Sequence, residues 1–178
     1  MLLSYTSLSL IEKHLSNAIN EQDSLPTLSS TGISTLISDS GVIRYKLVTE
    51  KWDIYTKTDP TKWEFIKGLY IEQFDEDTHV SATIQADTAY FFDMIKLWEL
   101  RGRVFVRNRE GTIFRTKVLF WDQKKREFYS HENMLVITPD RELRGTEFRS
   151  NEDMTNYTVS NPKGYFPMSD TEQNEEGI

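Results

Sequence analysis

The chain has no cysteine and only three histidines, His14, His79 and His131, in 178 residues. The first absence excludes a thiolate nucleophile, a zinc–thiolate centre and a disulfide framework, and it leaves cytosol and periplasm equally open. The histidines lie far apart and form no His-Glu-x-x-His pair, so each reads as a surface side chain and no metal site is expected. Phosphate loops and nucleophile elbows are missing as well, because no Gly-rich run leads into a helix and no Gly-x-Ser-x-Gly occurs. Cations are in deficit. With 21 Lys and Arg against 28 Asp and Glu, the net charge of -7 argues against a nucleic-acid-binding surface. Long hydrophobic runs are lacking too: Met1 to Ile11 is apolar but short, and no Lys or Arg precedes it as in a signal peptide, so the chain as written reads as soluble.

Weak hints of chemistry do not survive inspection. The acidic run Asp75-Glu76-Asp77 lacks the longer oxygen-ligand loop and the Gly of a calcium site, and reads as a solvated turn. Carboxylate pairs such as Glu64 with Glu72, or Asp87 with Asp93, could serve a glycosidase only if they met in space, which spacing cannot show. No catalytic residue and no cofactor is expected.

What is present is a globular composition, 38% hydrophobic and 12% aromatic, in a chain of one-domain length that can bury about two thirds of its unfolded surface. A weak helix signal covers 9–20, and a Ser/Pro-rich connector follows, so residues 1–28 read as a leader. A folded domain is expected over 29–168, and an acidic, disordered tail over 169–178. Within the domain the pattern has period 2: Ile43, Tyr45 and Leu47 alternate with Arg44 and Lys46, and Val104 and Val106 alternate with Arg103 and Arg107. Turn signals divide this into thirteen expected strands, at 32–38, 42–49, 51–56, 63–73, 78–86, 88–93, 95–100, 102–108, 112–120, 127–131, 133–138, 143–149 and 155–160. Pro162, which has no N–H to give, is expected to end the last pairing.

Two phrases recur. Gly111-Thr-Ile-Phe-Arg-Thr116 returns as Gly145-Thr-Glu-Phe-Arg-Ser150, and Glu99-Leu-Arg-Gly102 returns as Glu142-Leu-Arg-Gly145. Their offsets differ, which points to a reused hairpin along one growing sheet rather than a duplicated domain. Gly102, Gly111 and Gly145 read as turn or bulge positions. Large apolar residues crowd these strands: Trp52, Trp63, Phe65, Tyr70, Phe74, Phe91, Phe92, Trp98, Phe105, Phe114, Phe120 and Trp121. They can fill an ordinary sandwich core or line an open trough between two splayed sheets, and the pattern alone permits both.

The stretch Ala86-Asp-Thr-Ala-Tyr90, then Leu97-Trp-Glu-Leu-Arg-Gly-Arg-Val-Phe-Val106, Gly111-x-x-Phe-x-Thr116, Leu119-x-Trp-Asp122 and Tyr129-Ser130, resembles the OstA-type β-jellyroll of lipopolysaccharide-export proteins. Ser34-Thr-Leu-Ile-Ser-Asp-Ser-Gly41, with Tyr45 and Trp52 after it, is similar to the start of the LptC family's periplasmic domain, particularly in Bacteroides-like members. The resemblance implies an all-β fold, an open, V-shaped jellyroll of many short antiparallel strands. It also implies a protein of the periplasm associated with the inner membrane, although the membrane helix usual in the family is not visible in the chain as written. That leaves a removed anchor, a misassigned start or retention by partners.

By the same resemblance the partners are lipopolysaccharide, the inner-membrane ABC exporter that delivers it and an LptA-like periplasmic protein that receives it. The dry faces carrying Ile43, Tyr45, Leu47, Trp52, Phe65, Ile71, Ile84, Val104, Val106, Phe114, Val118 and Phe120 are then the lipid-binding trough. The terminal edges, with Ile33, Leu36 and Ile37 at one end and Tyr157 and Val159 at the other, are then the docking strands. The alternatives are an LptA-like soluble bridge and a carbohydrate-binding β-sandwich. The latter requires aromatics laid flat on an outer face instead of converging between sheets.

Overall fold

A computed structural model describes residues 25–39 and 41–165 of the chain. The helix expected over 9–20 and the tail over 169–178 lie outside the described residues. Among the described residues there is no helix. Twelve strands are present: β1 (Leu28–Asp39), β2 (Val42–Tyr55), β3 (Lys62–Phe65), β4 (Leu69–Phe74), β5 (Val80–Ala86), β6 (Thr88–Phe92), β7 (Leu97–Asn108), β8 (Ile113–Asp122), β9 (Glu127–Ser130), β10 (Met134–Ile137), β11 (Glu142–Asn151) and β12 (Tyr157–Tyr165).

All of them pair antiparallel in one continuous sheet, and the long strands fold that sheet into two layers. The first half of β2, Tyr45–Thr49, pairs with β4, and its second half, Asp53–Tyr55, pairs with β3. β7 pairs with β6 through Leu97–Arg101 and with β5 through Phe105–Asn108. β8 pairs with β10 through Ile113–Arg115 and with β9 through Phe120–Asp122. β11 pairs with β10 through Glu142–Gly145 and with β9 through Phe148–Asn151. Each long strand therefore crosses from a first layer holding β4, β5 and β10 to a second holding β3, β6 and β9. The expected two-layered jellyroll is the observed fold.

The crossings explain where strand boundaries depart from expectation. The segments 42–49 and 51–56 are one strand, as are 95–100 and 102–108, because a strand can bend between layers without ending, in β2 with its register to β1 unbroken at the bend and in β7 with a bulge. In β2 the bend sits where Thr49 Oγ1 donates to Lys51 C=O (3.1 Å) and accepts its N–H (3.3 Å). In β7 it sits at Gly102, where the register with β8 shifts between Arg101 and Val104. Conversely 63–73 is two strands, β3 and β4, broken before Gly68, whose N–H is taken by Asp87 C=O at 2.9 Å. Pro162 does not end the last pairing either. β12 continues through Lys163, Gly164 and Tyr165 opposite β11, and the proline falls in the register shift between Arg144 and Thr146, where it has no ladder bond to forfeit.

The recurrent phrases do not occupy equivalent places, since Phe114 sits where β8 pairs with β10 and Phe148 where β11 pairs with β9, yet parts of them meet or repeat a contact. Phe114 and Phe148 meet with ring centroids 5.2 Å apart, and Glu99–Arg101 and Glu142–Arg144 form the same ion pair two residues along a strand.

Candidate functional site

The space between the layers is lined differently on its two sides. The first layer contributes an aliphatic wall of Leu47, Leu69, Ile71, Ile84, Val104 and Val106, all buried. From the second comes a run of stacked rings: Trp52 on Phe65 (5.7 Å between centroids), Phe65 on Trp98 (5.5 Å), Trp98 on Trp121 (6.2 Å) and Trp121 on Phe128 (5.3 Å). Phe91 lies on Trp98 at 4.6 Å, and Trp63 meets Phe91 edge-on. Such pairs each add about 0.5–1.5 kcal/mol beyond the area they bury. The interior is thus a packed core in this state rather than a vacant trough.

It opens on one side. There, where the β6–β7 and β8–β9 hairpins turn, a cavity of about 800 Å³ is reached by Tyr45, Leu47, Ile71, Trp63, Phe91, Trp98 and Trp121, with Arg44, Asp75, Asp93, Lys96, Lys124, Arg126 and Glu152 around it. Apolar walls under a mixed-charge rim suit a ligand with an apolar body and a hydrated head. Inside, the indole N–H groups of Trp52 and Trp98, Gln73 Oε1 and the Tyr157 hydroxyl are buried without a partner among the described residues. A larger groove of about 1360 Å³ lies along the seam where the long strands cross layers, on the outer face. Its floor is the cross-strand row Val48, Tyr70, Gln85, Phe105 and Arg115, and the core residues Leu69, Ala86 and Val104 reach its lining at the bend.

Of the residues expected to line a trough, Leu47, Phe65, Ile71, Ile84, Val104, Val106 and Phe114 are in the buried core, with Tyr45 and Trp52 packed against it. Three are not inside. Ile43 is 39% exposed, because the register of β1 and β2 slips between Ile37 and Ser38 and three residues of β2 oppose two of β1. Val118 and Phe120 lie on the outer face. β8 turns Phe114 inward but then Leu119 and Trp121, as its register with the β7 bulge changes, and Phe120 instead stacks on Tyr129 at 5.0 Å. A single period-2 reading cannot pass such a bulge. Trp63, Phe91, Trp98 and Trp121 reach the opening and are absent from the expected set. Their crowding on strands was the available signal.

The edge residues fall on the two outermost strands. Among the described residues β1 pairs only with β2, and β12 only with β11, so there each has one free backbone edge. Ile33, Ile37, Tyr157 and Val159 turn inward against the core, whereas Leu36 is 56% exposed. Elsewhere the carboxylates are engaged structurally. Asp75 accepts from Arg109 and from the N–H groups of Asp77 and His79.

The family model of lipopolysaccharide-assembly, LptC-related proteins matches residues 1–164. The chain belongs to the LptC family. A role in lipopolysaccharide transport follows from that membership. No curated protein matches the sequence. For an LptC-family chain the layered interior and its open side are the features through which a lipid-handling role would act. Of the four aromatics whose direction separates the two readings, Trp52, Phe65 and Phe114 turn inward, which runs against a sugar-binding platform, while Phe120 lies on the outer face against Tyr129.

Proposed function

We propose that this protein receives lipopolysaccharide from the inner-membrane ATP-driven exporter, holds its acyl chains between the two layers and passes it to an LptA-like periplasmic protein. It acts in the periplasm beside the inner membrane and performs no chemical step. The observation that carries this reading is the apolar interior with a cavity along its hairpin side, reached by Tyr45, Ile71, Phe91 and Trp98. Each acyl CH₂ leaving water contributes about 0.8 kcal/mol, so chains inserted there are held without a cluster of headgroup ligands. Charged headgroup atoms stay hydrated at the rim, where burial without partners would cost several kcal/mol, roughly 2–7 for a polar group alone. The unpartnered indole N–H groups of Trp52 and Trp98 suit chains that carry ester, amide or hydroxyl oxygens.

The two free edges support the direction of transfer. A strand added to β1 or β12 would extend the sheet and align one interior with the next, so the lipid would move without crossing water. The test is in-cell photocrosslinking. A benzophenone side chain at Ile71 or Phe91 should trap lipopolysaccharide, and the same probe at Phe120 or Arg103 should not. Equal labelling at both pairs of positions would sink the reading.

A further inference from the structure

The β11–β12 connection, residues 152–156, crosses the open side of the sandwich. It leaves the second layer at Asn151, opposite Glu127 of β9, and reaches the first layer at Asn108, whose Nδ2 donates to Met154 C=O at 3.4 Å. Two residues of this strap are buried. Met154 is 1% exposed among the core side chains with φ +54, and Glu152 is 8% exposed. Glu152 Oε1 accepts from Tyr45 Oη and Trp121 Nε1, both at 3.3 Å, and its Oε2 accepts from Arg126 Nε at 2.9 Å. One carboxylate therefore joins Tyr45 of the first layer to Trp121 and Arg126 of the second. The strap holds its own shape, since Asn151 Oδ1 accepts the N–H groups of Thr155 and Asn156, and Met154 N–H donates to Asn151 C=O.

We propose that this strap is a displaceable plug, with Met154 standing in for an acyl chain and Glu152 as its latch. This rests on the reading that lipid binds between the layers. The chemistry favours release when an acyl chain arrives. Met154 is a flexible apolar side chain whose place another apolar chain can take with little change in burial. Glu152 is a carboxylate held out of water by three donors, two of them at long range, and it regains hydration on leaving. The Tyr45 hydroxyl remains a donor throughout the physiological range, because burial, with the neighbouring Glu152 charge, pushes its ionisation well above the ordinary tyrosine value. In the lipid-free protein the strap thereby narrows the open side to unwanted apolar ligands, and entry of lipid is coupled to movement of the loop that leads into edge strand β12.

The test is the uptake rate of purified lipid A by the full chain in stopped flow, read by tryptophan emission. Glu152→Ala should speed uptake roughly fivefold or more. Arg149→Ala, which removes the outer Arg149–Glu127 pair, should leave it unchanged. Uptake that is equally fast in the unmodified protein and a folded Glu152→Ala variant overturns the plug alone. Absence of uptake in every variant overturns the interior-lipid reading and the plug with it. Hydrogen exchange in the unmodified protein tests the same point without substitution. The amides of 154–156 should exchange faster with lipid A bound, while Thr138 N–H, bonded to Arg141 C=O, should not change. Strap amides that stay protected in the lipid complex overturn the proposal.

Discussion

Asp87 fills the space that a side chain on Gly102 would need: a Cβ built on Gly102 would lie 2.5 Å from Asp87 Oδ2 and 2.7 Å from Asp87 Cβ. The same aspartate accepts Arg103 N–H at 2.9 Å, gives its own N–H to Arg101 C=O and receives Gly68 N–H on its carbonyl. Strands β3 to β7 are thus tied together where β7 bends between layers. Gly102 also has φ +94. Gly102→Ala should cost about 2–5 kcal/mol, from left-handed backbone strain together with overpacking. Chemical denaturation measures it, and an unchanged midpoint would contradict this account of the seam.

Acid should loosen the same seam. The Arg103 side chain, with the Arg103 N–H, holds the Asp87 carboxyl below the ordinary carboxylate range, and Arg109 does the same for Asp75. A depressed folded value means that this stability is fully present above the unfolded-state value of about 3.9 and is lost as pH falls through the lower folded value. Both groups are solvent-exposed, so the effect is small. Asp87→Asn should flatten the acid limb of a melting-temperature profile below about pH 4, and a limb identical to that of the unmodified protein would refute the coupling.

Neighbouring residues of β8 should behave oppositely. Trp121 is buried in the ring stack, whereas Phe120 faces outward on Tyr129. Trp121→Ala should cost about 3–5 kcal/mol, and Phe120→Ala about 1 kcal/mol, the value of an exposed aromatic pair. Urea titration distinguishes them. Equal losses would place the β8 face change elsewhere.

The edge strands carry their own prediction. Because Tyr157 and Val159 pack inward, a proline at either would disturb the core. Their backbone N–H groups face the free edge, because Asn151 N–H bonds Asn156 C=O and the pairing alternates from there, which turns the Thr158 N–H toward Arg149. An ester in place of the Val159 amide, which removes the outward N–H and keeps the side chain, should weaken capture of an LptA-like periplasmic protein several-fold and leave lipid uptake by the isolated chain intact. Undiminished capture by the folded variant would remove β12 as the docking edge.

Alternation made much of this molecule legible in its sequence. Leu47, Ile71, Ile84, Val104 and Val106 lie inside because each sits in an unbroken period-2 run beside charged neighbours, and the recurrent Phe114 and Phe148 lie side by side on strands repeated along the sheet. Reading failed at bulges. Ile43, Val118 and Phe120 lie beyond a register slip that inverts the faces, and such a slip leaves no mark in hydrophobic pattern. The merging of 42–49 with 51–56, and of 95–100 with 102–108, comes from the bends, since a strand that bends between layers looks like two strands with a turn. Glu152 and Met154 were illegible for another reason. They sit in a polar connection, and only the tertiary fold carries it across the interior.

All four tryptophans of the chain, Trp52, Trp63, Trp98 and Trp121, belong to the ring system that walls the interior, so their emission reports directly on what enters it. The most direct measurement is quenching of that emission by lipid A whose acyl chains carry bromine. Bromine on the chains should quench strongly at saturation, while unbrominated lipid A with a water-soluble quencher should show the tryptophans shielded. Emission untouched by brominated chains, in a sample where lipid A demonstrably stays bound to the protein, would contradict acyl-chain binding between the layers.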